Sequence, residues 1–171
     1  MQEVGSTVGR PQRRLARIAG GRYVPRMSFA LSRKDREAFL AGTHVAVVSV
    51  TEAGRGPLTV PVWYRYQPGG EVRIITSGAT RKIGLLRAAG RMSLCVQDEA
   101  PPFRYVSVEG PVTIEKPGSD AGVREMAHRY AGKPAGDRYL DLTKDERAHE
   151  VVICLRPERW YSADFSSMFP A

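Results

Sequence analysis

Two short segments hold the residue types that could do chemistry. The first is Thr76-Ser77-Gly78-Ala79-Thr80-Arg81-Lys82, which gathers hydroxyls and two cations. If this segment leaves a strand and enters a helix, the first free helix N–H groups and Lys82 or Arg81 together hold an anion such as a phosphate. Thr76 and Thr80 would then add hydroxyl donors. A capped helix start with solvated cations uses the same residues, and the spacing alone leaves both readings open. The second segment is Leu58-Thr59-Val60-Pro61-Val62-Trp63-Tyr64-Arg65-Tyr66. Proline inside a strand removes a ladder donor, so the strand belongs at an edge or faces something other than a neighbouring strand. A planar ligand fits that description. So does an edge strand whose Trp63 and Tyr64 pack into the core or a dimer interface.

Other chemistries find no support. The three histidines, His44, His128 and His149, stand apart from one another and from the two cysteines, so no metal-ligand spacing is present and no metal is expected. Cys95 and Cys154 sit inside apolar runs, where an inert thiol is the expectation and a reducing, cytoplasmic setting follows. Nucleophile elbows, Walker loops and dinucleotide fingerprints are absent. No apolar run approaches the roughly 18 residues of a membrane span.

The elements that must position the two segments follow from the pattern. The chain has 171 residues and a formal charge of +8, enough for one core. Residues 1–26 carry six arginines against Glu3 and read as a disordered basic arm with only Tyr23 as an aromatic, which gives no basis for nucleic-acid binding. The single domain is expected over 27–171. Ser32-Arg33-Lys34-Asp35 has capping-box spacing and opens a helix to residue 41. Strands are expected at 44–50, 58–66 and 72–77, joined by turns into a three-strand meander. Ile83, Leu86 and Ala89 recur at helical spacing over 80–89, with Gly90 as the stop. Strands at 92–97 and 104–115 follow, the second bent at Gly110-Pro111. A helix over 120–130, a loop over 132–142, a short capped helix from Thr143 and a closing strand over 151–155 complete the reading. Six antiparallel strands with short helices argue a mainly β, barrel-like fold.

The order and spacing of Val45-Ala-Val-Val-Ser-Val, Gly56-Pro57-Leu58-Thr59-Val60-Pro61-Val62-Trp63-Tyr64, Thr76-x-x-x-Thr80-x-Lys82-x-x-x-Leu86-Arg87 and Tyr105-Val-Ser-Val-Glu-Gly110 resembles the pyridoxamine-phosphate-oxidase-like split β-barrel flavoproteins, from about residue 30 to 165. It is most similar to the actinobacterial flavin/deazaflavin-dependent oxidoreductases of the B group, many of which use coenzyme F420. The resemblance implies a six-stranded split barrel and a homodimer with a cofactor cleft at each side of the interface. It implies that Lys82 holds the cofactor phosphate, supported by Thr76, Ser77, Thr80 and Arg81. Val60, Pro61, Val62 and Trp63 would lie along the ring, and Gln97, with the partner's Arg104 and the partner's Tyr105, would form the cleft wall. The expected activity is hydride transfer from reduced F420 to an unsaturated or quinone-like small molecule, with Tyr64 or Tyr105 as candidate proton donors. An FMN-dependent oxidoreductase and a non-catalytic cofactor-binding protein are the alternatives. Loops 98–103 and 132–142 are expected to shape the substrate pocket, and Arg65, Arg81 and Arg87 to favour the acidic tail of F420. The ending Trp160-Tyr-Ser-Ala-Asp-Phe lacks the Arg-x-His pattern of the pyridoxamine-phosphate oxidases themselves, which argues against vitamin B6 oxidation.

Overall fold

The computed structural model describes residues 28–117 and 120–169, so the basic arm expected over 1–26 lies outside the described residues. Helix α1 (Arg33–Ala41) starts where Ser32 caps it: the Asp35 N–H donates to Ser32 Oγ at 3.2 Å, and the Ser32 hydroxyl donates back to the Asp35 carboxylate at 2.6 Å. It buries Phe39 and Leu40 against the barrel and ends at Gly42. The strands that follow are β1 (Ala46–Val50), β2 (Leu58–Val62) and β3 (Val72–Ser77), then helix α2 (Arg81–Ala89), β4 (Arg91–Gln97) and β5 (Arg104–Glu115). The kinked helix α3 (Asp120–Leu142) and a 3-10 turn over Lys144–His149 lead into β6 (Glu150–Leu155) and β7 (Arg159–Asp164).

All pairings are antiparallel, in the order β2-β1-β4-β5-β6-β3, with β7 also on β5. Alternate residues such as Val48, Val50, Leu94, Val96, Val106 and Val108 point inward and form one core with Ile83 and Leu86 of α2. The long strand β5 joins the two halves of the curl. Its first part pairs with β7 over Arg104–Glu109, and its last residues, Val112 to Glu115, pair with β6. The change of partner falls at Gly110-Pro111, where a Cβ on Gly110 would lie 1.9 Å from the Arg156 carbonyl oxygen. The bend expected there is therefore a close backbone crossing that only glycine permits.

Three elements differ from the sequence reading. The meander stops at two strands: β3 pairs with β6 over six residues, and a single Arg65–Arg73 bridge connects it to the chain after β2. The cause is that residues after Val62 turn inward to bury Tyr64 and Tyr66. A seventh strand, β7, occupies the aromatic tail. The stretch 132–142 is helical, because Gly132 (φ 71°) and Pro134 mark a kink inside α3 and not a loop. Across that kink the Asp137 carboxylate receives His128 Nε2 at 2.7 Å and Lys133 Nζ at 2.8 Å, with Arg124 at 3.4 Å, while Gly136 lies against His128. The lysine and histidine contacts hold the Asp137 carboxyl down at about 2.

Gly110→Ala should lower unfolding stability by about 3 kcal/mol through that clash, measured by chemical denaturation. The Asp137 clasp contributes stability above the unfolded carboxyl pKa of about 3.9 and loses it as pH falls toward 2. A thermal-midpoint profile should therefore be less steep between about pH 4 and 2 in Asp137→Asn than in the parent.

Candidate functional site

Pro61 has no N–H to offer, and β2 leaves the ladder one residue later, at Val62. The backbone beyond it would be orphaned inside the fold without other partners. Tyr130 of α3 supplies them. Its hydroxyl accepts from the Tyr64 N–H at 3.2 Å and lies 2.8 Å from the His44 carbonyl and 3.0 Å from the Tyr64 carbonyl, sharing its proton between the two. Burial holds the Tyr130 phenol above its ordinary pKa. The fully buried Tyr64 in turn donates to the Leu40 carbonyl at 2.6 Å, and Arg129 donates to the Ala41 and Gly42 carbonyls at 2.6 and 2.8 Å. The last carbonyls of α1 are thus satisfied from the segment after β2 and from α3 together. Tyr64 is a structural tyrosine, its hydroxyl committed to α1.

This network leaves Trp63 facing a groove of about 370 Å3. Pro61, Val62 and Trp63 form one wall, with Val45 beside them. Ile75 and Thr76 of β3 and Lys82 of α2 form another, and Tyr139 of α3 completes the lining. The Trp63 indole stacks on the Tyr130 ring at 5.1 Å and 5°, and meets Tyr139 at 5.4 Å and 56°. Lys82 is half-buried and makes no ion pair or hydrogen bond among the described residues. Burial alone lowers its pKa, so the structure holds a desolvated ammonium that an anion would relieve. At the start of α2 the cap residue Thr80 makes no side-chain bond to the helix amides, while its carbonyl accepts from the Ile83 N–H at 3.0 Å.

Of the residues singled out from sequence, Pro61, Val62, Trp63, Thr76 and Lys82 meet in this groove. Val60 packs on the core and does not line the groove; Val62, on the same side of β2, packs on the core as well and reaches the groove from the end of the strand. Thr80 donates its hydroxyl proton to the Ser77 carbonyl at 3.0 Å, and Ser77 Oγ accepts from the Ala79 N–H at 3.4 Å, so both hydroxyls serve the loop itself. Arg81 is turned away to an ion pair with Glu52 of the β1–β2 turn. Arg65 pairs with Glu125 and lines a different part of the surface. Gln97 and Arg104 line a second cavity of about 950 Å3, which shares Val45 and Pro61 with the groove; Tyr105 lines neither. There Arg104 Nε donates to Asp98 at 2.8 Å, with its guanidinium 5.0 Å above the Phe39 ring. His44 lies beside them, 4.0 Å from Asp98, its pKa lowered chiefly by burial. The loop 98–103 contributes to this cavity as expected, whereas the helical 132–142 stretch contributes Tyr139 to the groove. Sequence reading missed Tyr130 and Tyr139. The signal was an aromatic pair nine residues apart on either side of Gly132, legible only once both arms are known to be helical.

Tyr130→Phe should orphan the Tyr64 N–H and destabilise the fold by about 1–3 kcal/mol, with a shift in tryptophan emission as Trp63 loses its fixed stack. Denaturation followed by fluorescence reads both effects.

Residues 32–164 match the family model described as pyridoxamine 5'-phosphate oxidase. A relative from Mycobacterium tuberculosis (strain CDC 1551 / Oshkosh), an F420H(2)-dependent biliverdin reductase, is 31% identical over 127 residues, spanning 73% of this chain and 83% of that protein. Among solved structures, a conserved hypothetical protein of Mycobacterium tuberculosis superposes with a TM-score of 0.65 at 19% identity, over 85% of this chain and 93% of that one. An F420 reductase superposes at 0.60 and 22% identity, over 73% and 94%. A family match across most of the domain and a seven-stranded curled antiparallel sheet agree with each other: the chain belongs to the pyridoxamine 5'-phosphate oxidase-like split β-barrel family.

Proposed function

We propose that this protein is an F420-dependent reductase that delivers a hydride to an unsaturated or quinone-like small molecule. The observation that carries the reading is Lys82: an unpaired, half-buried cation in a groove whose other wall is the apolar strip Pro61-Val62-Trp63. A phosphate-bearing planar ring matches both features, since a desolvated ammonium gains from a phosphate anion and an apolar strip from a ring. The similarity to an F420H(2)-dependent biliverdin reductase supports the deazaflavin in particular.

When bound, reduced F420 supplies the hydride. The protein's part is binding and exclusion. Lys82 Nζ and the first amides of α2 would hold the phosphate, while Pro61, Val62 and Trp63 shield one face of the ring from water. The partner in this reading is a second copy of the chain. It is supported by an outward row running across the sheet through Pro61, Val47, Cys95, Ser107 and Tyr161, in which Val47 is 41% and Tyr161 57% exposed. Such a row is largely apolar, as an interface core is. Gln97 and the partner's Arg104 would then reach the cleft from the larger cavity.

One observation favours FMN instead. Among the described residues Lys82 is the one cation lining the groove, with Arg65 and Arg81 held by Glu125 and Glu52, so an acidic oligoglutamate tail finds less positive charge there than the composition implies. Titration of the purified protein with F420 and with FMN, followed by ligand fluorescence, separates the two. Tight F420 and weak FMN binding is the expected result; the reverse order moves the protein to the flavin branch, and binding of neither removes the reading. Lys82→Met should weaken the preferred ligand by about ten-fold or more.

A further inference from the structure

We propose that Tyr139 is the specificity-determining residue of the groove, stacking on the planar ring of the ligand and selecting wide fused rings over single ones. This rests on the reading of the groove as a flavin or deazaflavin site. Three aromatic rings form one contiguous patch: Tyr130 stacked on Trp63, and Trp63 in tilted contact with Tyr139. Within the patch the roles differ. The Tyr130 hydroxyl is committed to the His44 and Tyr64 backbone. Tyr139 instead makes no side-chain hydrogen bond among the described residues, remains 38% exposed, and lines the groove together with Lys82. An aromatic side chain with an open face beside an unpaired cation matches the two halves of a ring phosphate, one by stacking and one by charge.

The helix arm that carries this ring is also held in place before any ligand arrives. Tyr139 sits on the second arm of α3, which the Asp137 contacts tie to the first arm and which Arg147 anchors by donating to the Leu140 carbonyl at 2.5 Å. Leu140 packs on Val123 and Ala127, with Ile75 of the groove against them. Burial, reinforced by Glu150 and Glu146, pushes the Tyr139 phenol up, so it presents a neutral ring at neutral pH. A fixed, neutral aromatic wall stacks any tricyclic ring and gains little from a single pyridine ring, whose smaller face leaves part of the wall uncovered.

The test compares probes that separate ring from phosphate. F420, FMN, riboflavin and pyridoxal 5'-phosphate are titrated against the parent, Tyr139→Leu, Tyr139→Phe and Lys82→Met, with thermal midpoints checking that each variant is folded. Tyr139→Leu should weaken F420, FMN and riboflavin by a common factor of about ten and leave pyridoxal 5'-phosphate within two-fold. Tyr139→Phe should bind all four as the parent does. Lys82→Met should show the opposite split, losing the phosphate-bearing probes and sparing riboflavin. Parental affinity for all four probes in Tyr139→Leu, with the parent binding F420 or FMN, overturns the role of Tyr139 while the reading of the groove stands. Failure of the parent to bind either F420 or FMN overturns both. Equal weakening of pyridoxal 5'-phosphate and the tricyclic probes in Tyr139→Leu also overturns the proposal, because it marks a general loss of groove shape.

Discussion

A single phenol hydroxyl decides where the site can be. Pro61 makes β2 a poor member of the sheet, and beyond Val62 the chain leaves β1 and meets a strand again only at the Arg65–Arg73 bridge. Buried backbone groups without partners cost enough to unfold a small domain, so the departure from the sheet is tolerated only because Tyr130 reaches the Tyr64 N–H and two nearby carbonyls. The same departure sends Tyr64 into the core, where its hydroxyl takes up a carbonyl at the end of α1, and turns Trp63 outward into the groove. One irregularity in one strand thus places the aromatic wall, seats α1 and fixes the approach of α3.

The electrostatics of the groove depend on what is neutralised elsewhere. The sequence is strongly basic, yet the cations nearest the helix start are taken: Arg81 by Glu52 and Arg65 by Glu125. Each pair has at least one solvent-exposed partner and contributes little stability. Their effect is one of selection, since they leave Lys82 as the groove's desolvated cation. Arg104 is likewise engaged, by Asp98, in the larger cavity. A count of arginines therefore overstates how much positive charge faces the groove.

Much of the fold was legible because its signals are local. Ser32 and Asp35 mark the start of α1, Gly90 stops α2 in the left-handed region, and β3 and β5 run over the residues their alternation indicates. Lys82 and the Pro61–Trp63 strip were legible for the same reason, each lying in one short segment. What was not legible depends on distant pairing. Whether β3 follows β2 or joins β6 is decided 73 to 83 residues away, and β7 is hidden because Arg159, Tyr161 and Asp164 read as a polar tail until Trp160 is seen to pack against the core. Hydroxyl counting failed at Ser77 and Thr80 because short polar side chains bond to their own loop first. Gly132 and Pro134 suggested a loop because the same two residues punctuate loops and kinks alike.

The second arm of α3 contributes none of the residues of the main barrel core; its buried Gly136 lies against His128 and its buried Leu140 belongs to a small separate cluster with Val123 and Ala127. It meets the rest of the helix through a glycine pivot. Such an arm is an evolvable module: its side chains can be exchanged, and with them the chemistry tolerated in the groove, without reopening the packing problem that the barrel has already solved. The scaffold and the site answer to different selective pressures because the chain has placed them on separately anchored pieces.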